Sequence, residues 1–164
     1  MGQFTNKILA EFQPPRKWKL GRDLVYSTKD LFANEIKSLQ DVGVEVKRDT
    51  DISPEAIITV PTEFITDLAS TPRLLWAFIA PFDVARAAIV HDLLYKSIRQ
   101  YRWQKGANEE DKELIKNAKV AADKVFLLAM KDAEPKVSGW KIYSAWKAVD
   151  LFGRWSIIPN ERNI

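Results

Sequence analysis

The sequence contains no cysteine, which excludes disulfides, thiolate zinc sites and a cysteine nucleophile. Its six glycines leave a long gap, because none lies between Gly43 and Gly106. It also lacks an apolar run of the ~20 residues that a membrane-spanning helix requires. The first twelve residues contain Glu11 and no signal-peptide apolar stretch. We therefore expect a soluble protein that is made in the cytoplasm.

A strong charge of either sign is also missing. The chain has 25 Lys and Arg against 22 Asp and Glu, for a net charge of +3, and the two signs alternate. A nucleic-acid-binding protein normally shows a basic stripe or patch, and only Arg99 to Lys105 hints at one. The 164 residues, 46% apolar and 29% charged, are typical of a globular protein. We expect a single domain spanning residues 1–164.

Residues 1–70 form the β-rich part of that domain, with a small antiparallel β region. Proline and glycine separate runs that are rich in β-branched and aromatic residues. Lys29 to Val42 is either a short helix or an inserted loop. The predicted strands are Phe4 to Phe12, Trp18 to Leu20, Leu24 to Ser27 and Ala56 to Val60, the last continued by Phe64 to Thr66.

Residues 71–155 form the helical part. Ser70-Thr71-Pro72 predicts a helix start, since a hydroxyl cap precedes a proline, and Pro81 ends that helix. Asp83 caps the next helix, whose apolar face comprises positions 84, 87, 88, 91, 94, 95 and 98. Asn108 or Glu109 opens another long helix that reaches about Lys131 and carries an apolar stripe with a period of 3.6 residues.

A last helix is predicted from Trp140 to Phe152, with Gly153 as its stop. Trp140, Tyr143, Ala148 and Leu151 are spaced to pack against the rest of the protein. The expected fold is therefore α+β, with the small β region followed by a bundle of three to four helices that has a central antiparallel pair.

Aromatic residues are abundant, and six of them are tryptophan. The run from Leu74 to Phe82 includes Trp76 and Phe78. Such rings either fill the core or form an apolar surface for a membrane interface or a partner protein. The sequence leaves both interpretations open.

The only histidine, His91, is followed directly by Asp92 within an apolar helical run. A second aspartate, Asp123, lies among apolar residues of the next long helix. Polar groups in such surroundings are costly unless they are paired or bind a metal. His91 and Tyr95 share a helix face, and Asp123 can reach His91 if the two helices are antiparallel. A carboxylate on one imidazole nitrogen leaves the other nitrogen free as a general base.

The pattern His-Asp-x-x-Tyr followed by Ala-Asp-x-x-Phe, within residues 86–130, resembles the secreted and parvovirus-capsid phospholipases A2. The resemblance implies that His91 is the catalytic base, that Asp92 binds calcium, that Asp123 orients His91, and that the Tyr95 hydroxyl supports Asp123. It implies calcium and no other cofactor. The glycine-rich calcium loop of that family has no counterpart in this sequence.

A wider resemblance, over residues 55–155, is to an uncharacterised family of tailed phages and prophages. It rests on the segment from Val60 to Arg73, which contains Thr-Asp-Leu-Ala-Ser-x-Pro-Arg, and on His91 to Tyr95 with Ala122 to Phe126. This resemblance implies that Asp67 and Ser70 help to build the same site, where Asp67 would join Asp92 as a metal ligand. Arg73 is a further residue of this supporting loop, and it could equally pair with a carboxylate in a structural network.

Two functions follow as hypotheses. The first is a calcium-assisted hydrolase of lipids or other esters, in which Trp76, Phe78 and Phe82 line an acyl channel or touch a bilayer. The second is a non-catalytic virion or tail protein whose partners are other phage virion proteins. In that case the histidine and aspartates form a buried polar cluster, here called a staple, that holds the helices in one packing arrangement. The absent calcium loop favours the staple, and the spacing of the His-Asp pattern favours the hydrolase.

Overall fold

The computed structural model describes residues 2–15, 17–49, 55–66, 84–105, 111–134, 136–161 and 163–164. The β-rich part contains short strands and one helix, α1 (Ala33–Asp41). The strands are β1 (Gln3–Phe4), β2 (Ala10–Gln13), β3 (Lys17–Leu20), β4 (Leu24–Thr28), β5 (Val46–Asp49), β6 (Glu55–Val60) and β7 (Ile65–Thr66).

The strands form two antiparallel sheets. The larger has the order β1-β4-β6-β5 and the smaller the order β2-β3-β7. Strand β6 shows the alternation expected of a sheet with one covered face, because Ala56, Ile58 and Val60 are buried and the residues between them are half-buried. Tyr26 of β4 lies opposite Ile58 and is also buried. This face of the sheet therefore forms one wall of the core.

The longer helices within the described ranges are α2 (Ala85–Lys105), α3 (Asp111–Lys131) and α4 (Gly139–Ser156). Helices α2 and α3 are antiparallel, as two pairs of residues in contact between them show. His91 pairs with Asp123, and ten residues further along α2 the Tyr101 hydroxyl donates to Asp111 near the start of α3. All the positions predicted for the apolar face of α2 are buried. These helices and the larger sheet share one apolar core.

The predicted α+β fold, with a small antiparallel β region before the helical bundle and a central antiparallel pair, is confirmed. Two local predictions were wrong. Phe4 to Phe12 is not one strand, since β1 pairs with β4 in one sheet and β2 pairs with β3 in the other. Gly153 does not end the last helix, which continues to Ser156. The helix predicted between Ser70 and Pro81 and the caps predicted at Asp83, Asn108 and Glu109 lie outside the described residues.

The packing predicted for α4 was also wrong. Of the four residues predicted to pack, Ala148 does contact the core, but Trp140, Tyr143 and Leu151 are exposed. The buried residues of the helix are Ile142, Ala145, Val149 and Gly153. All four are small or β-branched, and the two smallest, Ala145 and Gly153, let α4 approach the bundle closely. Trp140, Tyr143, Phe152 and Trp155 therefore lie on the outside, while Trp146 packs against the core.

Candidate functional site

The site is built on the buried interface between α2 and α3. His91 and Tyr95 are one helical turn apart on α2 and point to the same side. Asp123 on α3 meets both of them. Oδ1 of Asp123 lies 3.2 Å from Nε2 of His91 and accepts a hydrogen bond of 2.7 Å from the Tyr95 hydroxyl. The contact predicted between His91 and Asp123 is therefore present.

A lysine completes the environment of Asp123. Lys119, one turn earlier on α3, donates from Nζ to Oδ2 of Asp123 at 2.6 Å. The same Nζ lies 3.3 Å from the main-chain oxygen of Asp150 in α4. The carboxylate thus receives hydrogen bonds at both oxygens, and Lys119 links the site to α4.

The charge state of Asp123 follows from these contacts. Burial alone favours its neutral form, but the hydrogen bonds from His91, Lys119 and Tyr95 outweigh burial and lower the pKa of the carboxyl. Asp123 is therefore ionised at neutral pH and acts only as an acceptor. Since an acceptor faces Nε2, the proton of the neutral imidazole resides on Nε2.

His91 itself is only 1% exposed. Its ring lies against Phe126, with centroids 4.8 Å apart, and against Tyr95, at 4.0 Å. Burial lowers the pKa of His91 and outweighs the opposing effect of Asp123, while the positive charges of Lys119 and Arg99 lower it further. The imidazole is therefore neutral at neutral pH, and its Nδ1 is an unprotonated acceptor.

Nδ1 is the atom that distinguishes this site. It is buried and has no hydrogen-bond partner within the described part of the chain. Most buried polar atoms in proteins have a partner, so an exception calls for a structural or chemical explanation. The imidazole is therefore held at one nitrogen by an anchored carboxylate and carries a lone pair without a hydrogen-bond partner at the other.

Gly153 of α4 fixes the position of Tyr95. A Cβ at residue 153 would overlap the Tyr95 hydroxyl and would lie 3.2 Å from Cε of Lys119. Only glycine lets the helix approach this closely. Burial, together with the neighbouring negative charge of Asp123, raises the pKa of Tyr95 far above its usual range. The hydroxyl therefore remains a donor to Asp123 at any physiological pH.

Asp92 lies on a different side of α2 and is 5% exposed. Its Oδ2 accepts a hydrogen bond from the hydroxyl of Thr66, the last residue of β7. The end of β7, where the predicted supporting loop begins, is therefore in contact with the His91-Asp92 pair. Asp67, Ser70 and Arg73, like Trp76, Phe78 and Phe82, lie outside the described residues.

Calcium binds six to eight oxygen ligands. Among the described residues, no group of three His, Asp or Glu side chains could hold a metal ion. Around Asp92, these residues offer one carboxylate, which already accepts the Thr66 hydroxyl. The donors within the described ranges therefore do not fit calcium on their own, and the roles of Asp92 and Asp67 as metal ligands remain predictions.

Sequence reasoning missed two residues of this region. Lys119 precedes Asp123 by four residues, a spacing that predicts an ion pair on one helix face, so it could have been found. Thr66 is the first residue of the Thr-Asp-Leu-Ala-Ser-x-Pro-Arg motif, and that position was the signal that could have identified it.

Comparison with protein families finds a match for the sequence that carries this site. Residues 43–149, about two thirds of the chain, match the family DUF1353, whose description is protein of unknown function. The chain belongs to the DUF1353 family. The match includes His91, Asp92, Tyr95 and Asp123 and ends within α4, before Gly153. The predicted membership of an uncharacterised family is thus confirmed.

Searches among curated proteins and among solved structures gave no match for this DUF1353 member. Of the helices in the described ranges, none has both the length and the apolar character needed to cross a membrane.

Proposed function

We propose that this DUF1353 member is a phage-encoded ester hydrolase with a phospholipase A2-like site, acting on phospholipids or related esters. His91 is the general base, Asp123 orients it, and Tyr95 positions Asp123. The phage origin rests on the motif resemblance alone. The hydrolase assignment rests on that resemblance together with the geometry between α2 and α3.

One observation carries the proposal: Nδ1 of His91 lacks a partner while Nε2 is fixed by Asp123. A purely structural histidine would be expected to satisfy both nitrogens, since a buried acceptor without a hydrogen bond costs about 1–3 kcal/mol. A general base needs the opposite arrangement. One nitrogen must be held so that the tautomer is defined, and the other must stay available for a proton.

The chemical step follows from this arrangement. Nδ1 takes a proton from a water molecule, and the water oxygen forms a bond to the ester carbonyl carbon. The imidazolium formed in this way is stabilised by the negative charge of Asp123. The carbon–oxygen bond to the alcohol then breaks, and Nδ1 returns its proton to the leaving oxygen. The products are a carboxylic acid and an alcohol, and His91 regains its starting state.

Calcium enters the proposal through the resemblance, with Asp92 and Asp67 as its predicted ligands. No step above depends on a metal. The assay should therefore be run both with calcium and with a chelator. Asp92→Asn should abolish any calcium dependence that appears.

The test is hydrolysis of phospholipid vesicles and of simple chromogenic esters by the purified protein. His91→Asn keeps much of the side-chain shape and removes the base, so the rate should fall by about 10²–10⁴-fold. Because His91→Asn is purified in the same way as wild type, its residual rate also measures any contaminating esterase. Tyr95→Phe keeps the His91-Asp123 pair and should lose less activity. An inert wild type under all conditions, or a fully active His91→Asn, would overturn the proposal.

A second candidate is a non-catalytic virion or tail protein in which the same cluster is a staple. It is favoured by the near-complete burial of His91 and Asp123 and by Lys119, which ties Asp123 to the Asp150 main chain. Its partners would be other virion proteins. A folded wild type that is inactive on every ester, with and without calcium, would support this candidate.

A further inference from the structure

Helix α4 presents an unusual face to solvent. Its buried residues Ile142, Ala145, Val149 and Gly153 recur every three or four positions and define the inner side. On the opposite side of a helix that packs on a core, charged and polar residues are expected. Here that side carries large apolar side chains. The outer face comprises Trp140, Tyr143, Lys147, Leu151, Arg154 and Trp155.

The exposure of these side chains is high. Trp140 and Tyr143 are each 59% exposed, Leu151 is 58% exposed and Trp155 is 53% exposed. Single exposed apolar residues are common, whereas a contiguous apolar patch marks an interaction surface. Four large exposed side chains on one face of one helix are more than the scattered single residues that are common on protein surfaces.

The charges on α4 complement an anionic surface. The helix has three cationic residues and one carboxylate. The guanidinium of Arg154 lies 4.1 Å from the ring centroid of Trp155, and Nζ of Lys147 lies 4.9 Å from that of Trp146. Trp146 packs against the core, and Nζ of Lys147 also lies 3.5 Å from Oδ2 of Asp150. Arg154 and Trp155 are therefore the pair at which a bound surface would meet a ring and a positive charge together.

We propose that the outer face of α4 binds the surface of an anionic phospholipid bilayer, with the helix lying in the plane of the interface. Tryptophan and tyrosine favour such interfaces because their rings are apolar at one end and hydrogen-bond at the other. Trp140 and Trp155 are separated by about 22 Å along the helix axis. Rings spread over that length suit a flat surface better than a pocket, and surface-bound helices combine such rings with Lys and Arg.

This inference rests on α4 and not on the proposed hydrolase activity. The experiment measures binding of the full chain to vesicles and includes no turnover. Vesicles of phosphatidylcholine alone are compared with vesicles of equal parts phosphatidylcholine and phosphatidylglycerol, using sedimentation at low and high salt. We expect binding to the mixed vesicles that weakens as salt screens the charges.

A double substitution and a control variant test whether vesicles bind at α4. Trp140→Ala combined with Trp155→Ala should weaken binding by about tenfold or more, because both rings lose their interfacial contacts. Trp103→Ala is the matched control, since Trp103 is 52% exposed but lies on α2, and it should bind like wild type. Circular dichroism melts check that each variant is folded.

A second pair tests the charges. Lys147→Gln with Arg154→Gln should reduce binding to the anionic vesicles and remove much of the salt dependence. Lys37→Gln with Lys47→Gln changes the same net charge at side chains that are 72% and 70% exposed elsewhere, and its effect should be smaller.

Three results would overturn the inference. The first is no sedimentation with either vesicle. The second is binding that the α4 tryptophan variants leave unchanged. The third is self-association, measured by analytical ultracentrifugation, that those variants abolish while vesicle binding is absent. This last result would make a second copy of the chain the occupant of the face.

Discussion

Gly153→Ala should destabilise the protein, although glycine to alanine usually stabilises a helix. Gly153 lies inside α4, where alanine would normally gain about 1 kcal/mol in helix propensity. Here the new Cβ would overlap the Tyr95 hydroxyl and would lie 3.1 Å from Cζ of the same ring. Either α4 must move outward, or Tyr95 must leave Asp123.

The magnitude follows from these contacts. Overpacking costs about 1–3 kcal/mol, and losing a hydrogen bond to a charged group such as Asp123 costs about 1.5–3 kcal/mol. After the gain in helix propensity, either cost alone should lower the free energy of unfolding by up to about 2 kcal/mol, and both together by about 1.5–5 kcal/mol. For a chain of this size, each kcal/mol lost corresponds to a decrease in Tm of about 2–4 °C.

Gly139→Ala provides the control within the same helix. Gly139 is the first residue of α4, and a Cβ there would have nothing within 4 Å. This variant should be as stable as wild type or slightly more stable. Urea and thermal unfolding of both variants measure the difference. A Gly153→Ala protein as stable as Gly139→Ala would refute the close approach of α4 to Tyr95.

Two further predictions concern the buried pair. Asp123→Ala leaves the His91 and Tyr95 donors buried without an acceptor and should lower the free energy of unfolding by about 3–5 kcal/mol; a loss below about 1 kcal/mol in urea unfolding would contradict this. Stability should also fall as the pH decreases below about 6.5, because the unfolded chain then binds a proton at His91 that the folded chain resists. His91→Asn should flatten this dependence, and parallel pH profiles of variant and wild type would count against it.

The His91-Asp123 contact could be predicted from the sequence because helix spacing decides it. Residues four apart share a face, and polar residues within apolar stripes need partners. Two long helical patterns joined by a short connection favour an antiparallel pair. The partner of each polar group is therefore limited to a few positions, and the same spacing places Lys119 one turn before Asp123.

The orientation of α4 could not be predicted in the same way. In its sequence, two sets of apolar residues each recur with helical spacing, one on either side of the helix. Trp140, Tyr143 and Leu151 form one, while the small residues Ala145 and Gly153 belong to the other. Hydrophobic periodicity favours burying the larger side chains. Close packing against Tyr95 favours the smaller ones, and that contact is visible only in three dimensions.

Gly153 was misassigned for a related reason. A glycine near the end of a periodic stretch indicates either a helix stop or a close approach of backbone to a neighbour. The split of Phe4 to Phe12 is similar, since residue alternation predicts extended chain but does not say which sheet each segment joins. Both choices depend on contacts distant in sequence.

The central claim is that His91 holds its proton on Nε2 and leaves Nδ1 as a free base. Because the chain has one histidine, long-range proton–nitrogen NMR of the labelled protein reports a single imidazole. At neutral pH we predict a protonated Nε2 and an unprotonated Nδ1. A proton on Nδ1, whether in the other neutral tautomer or in an imidazolium, would contradict the account.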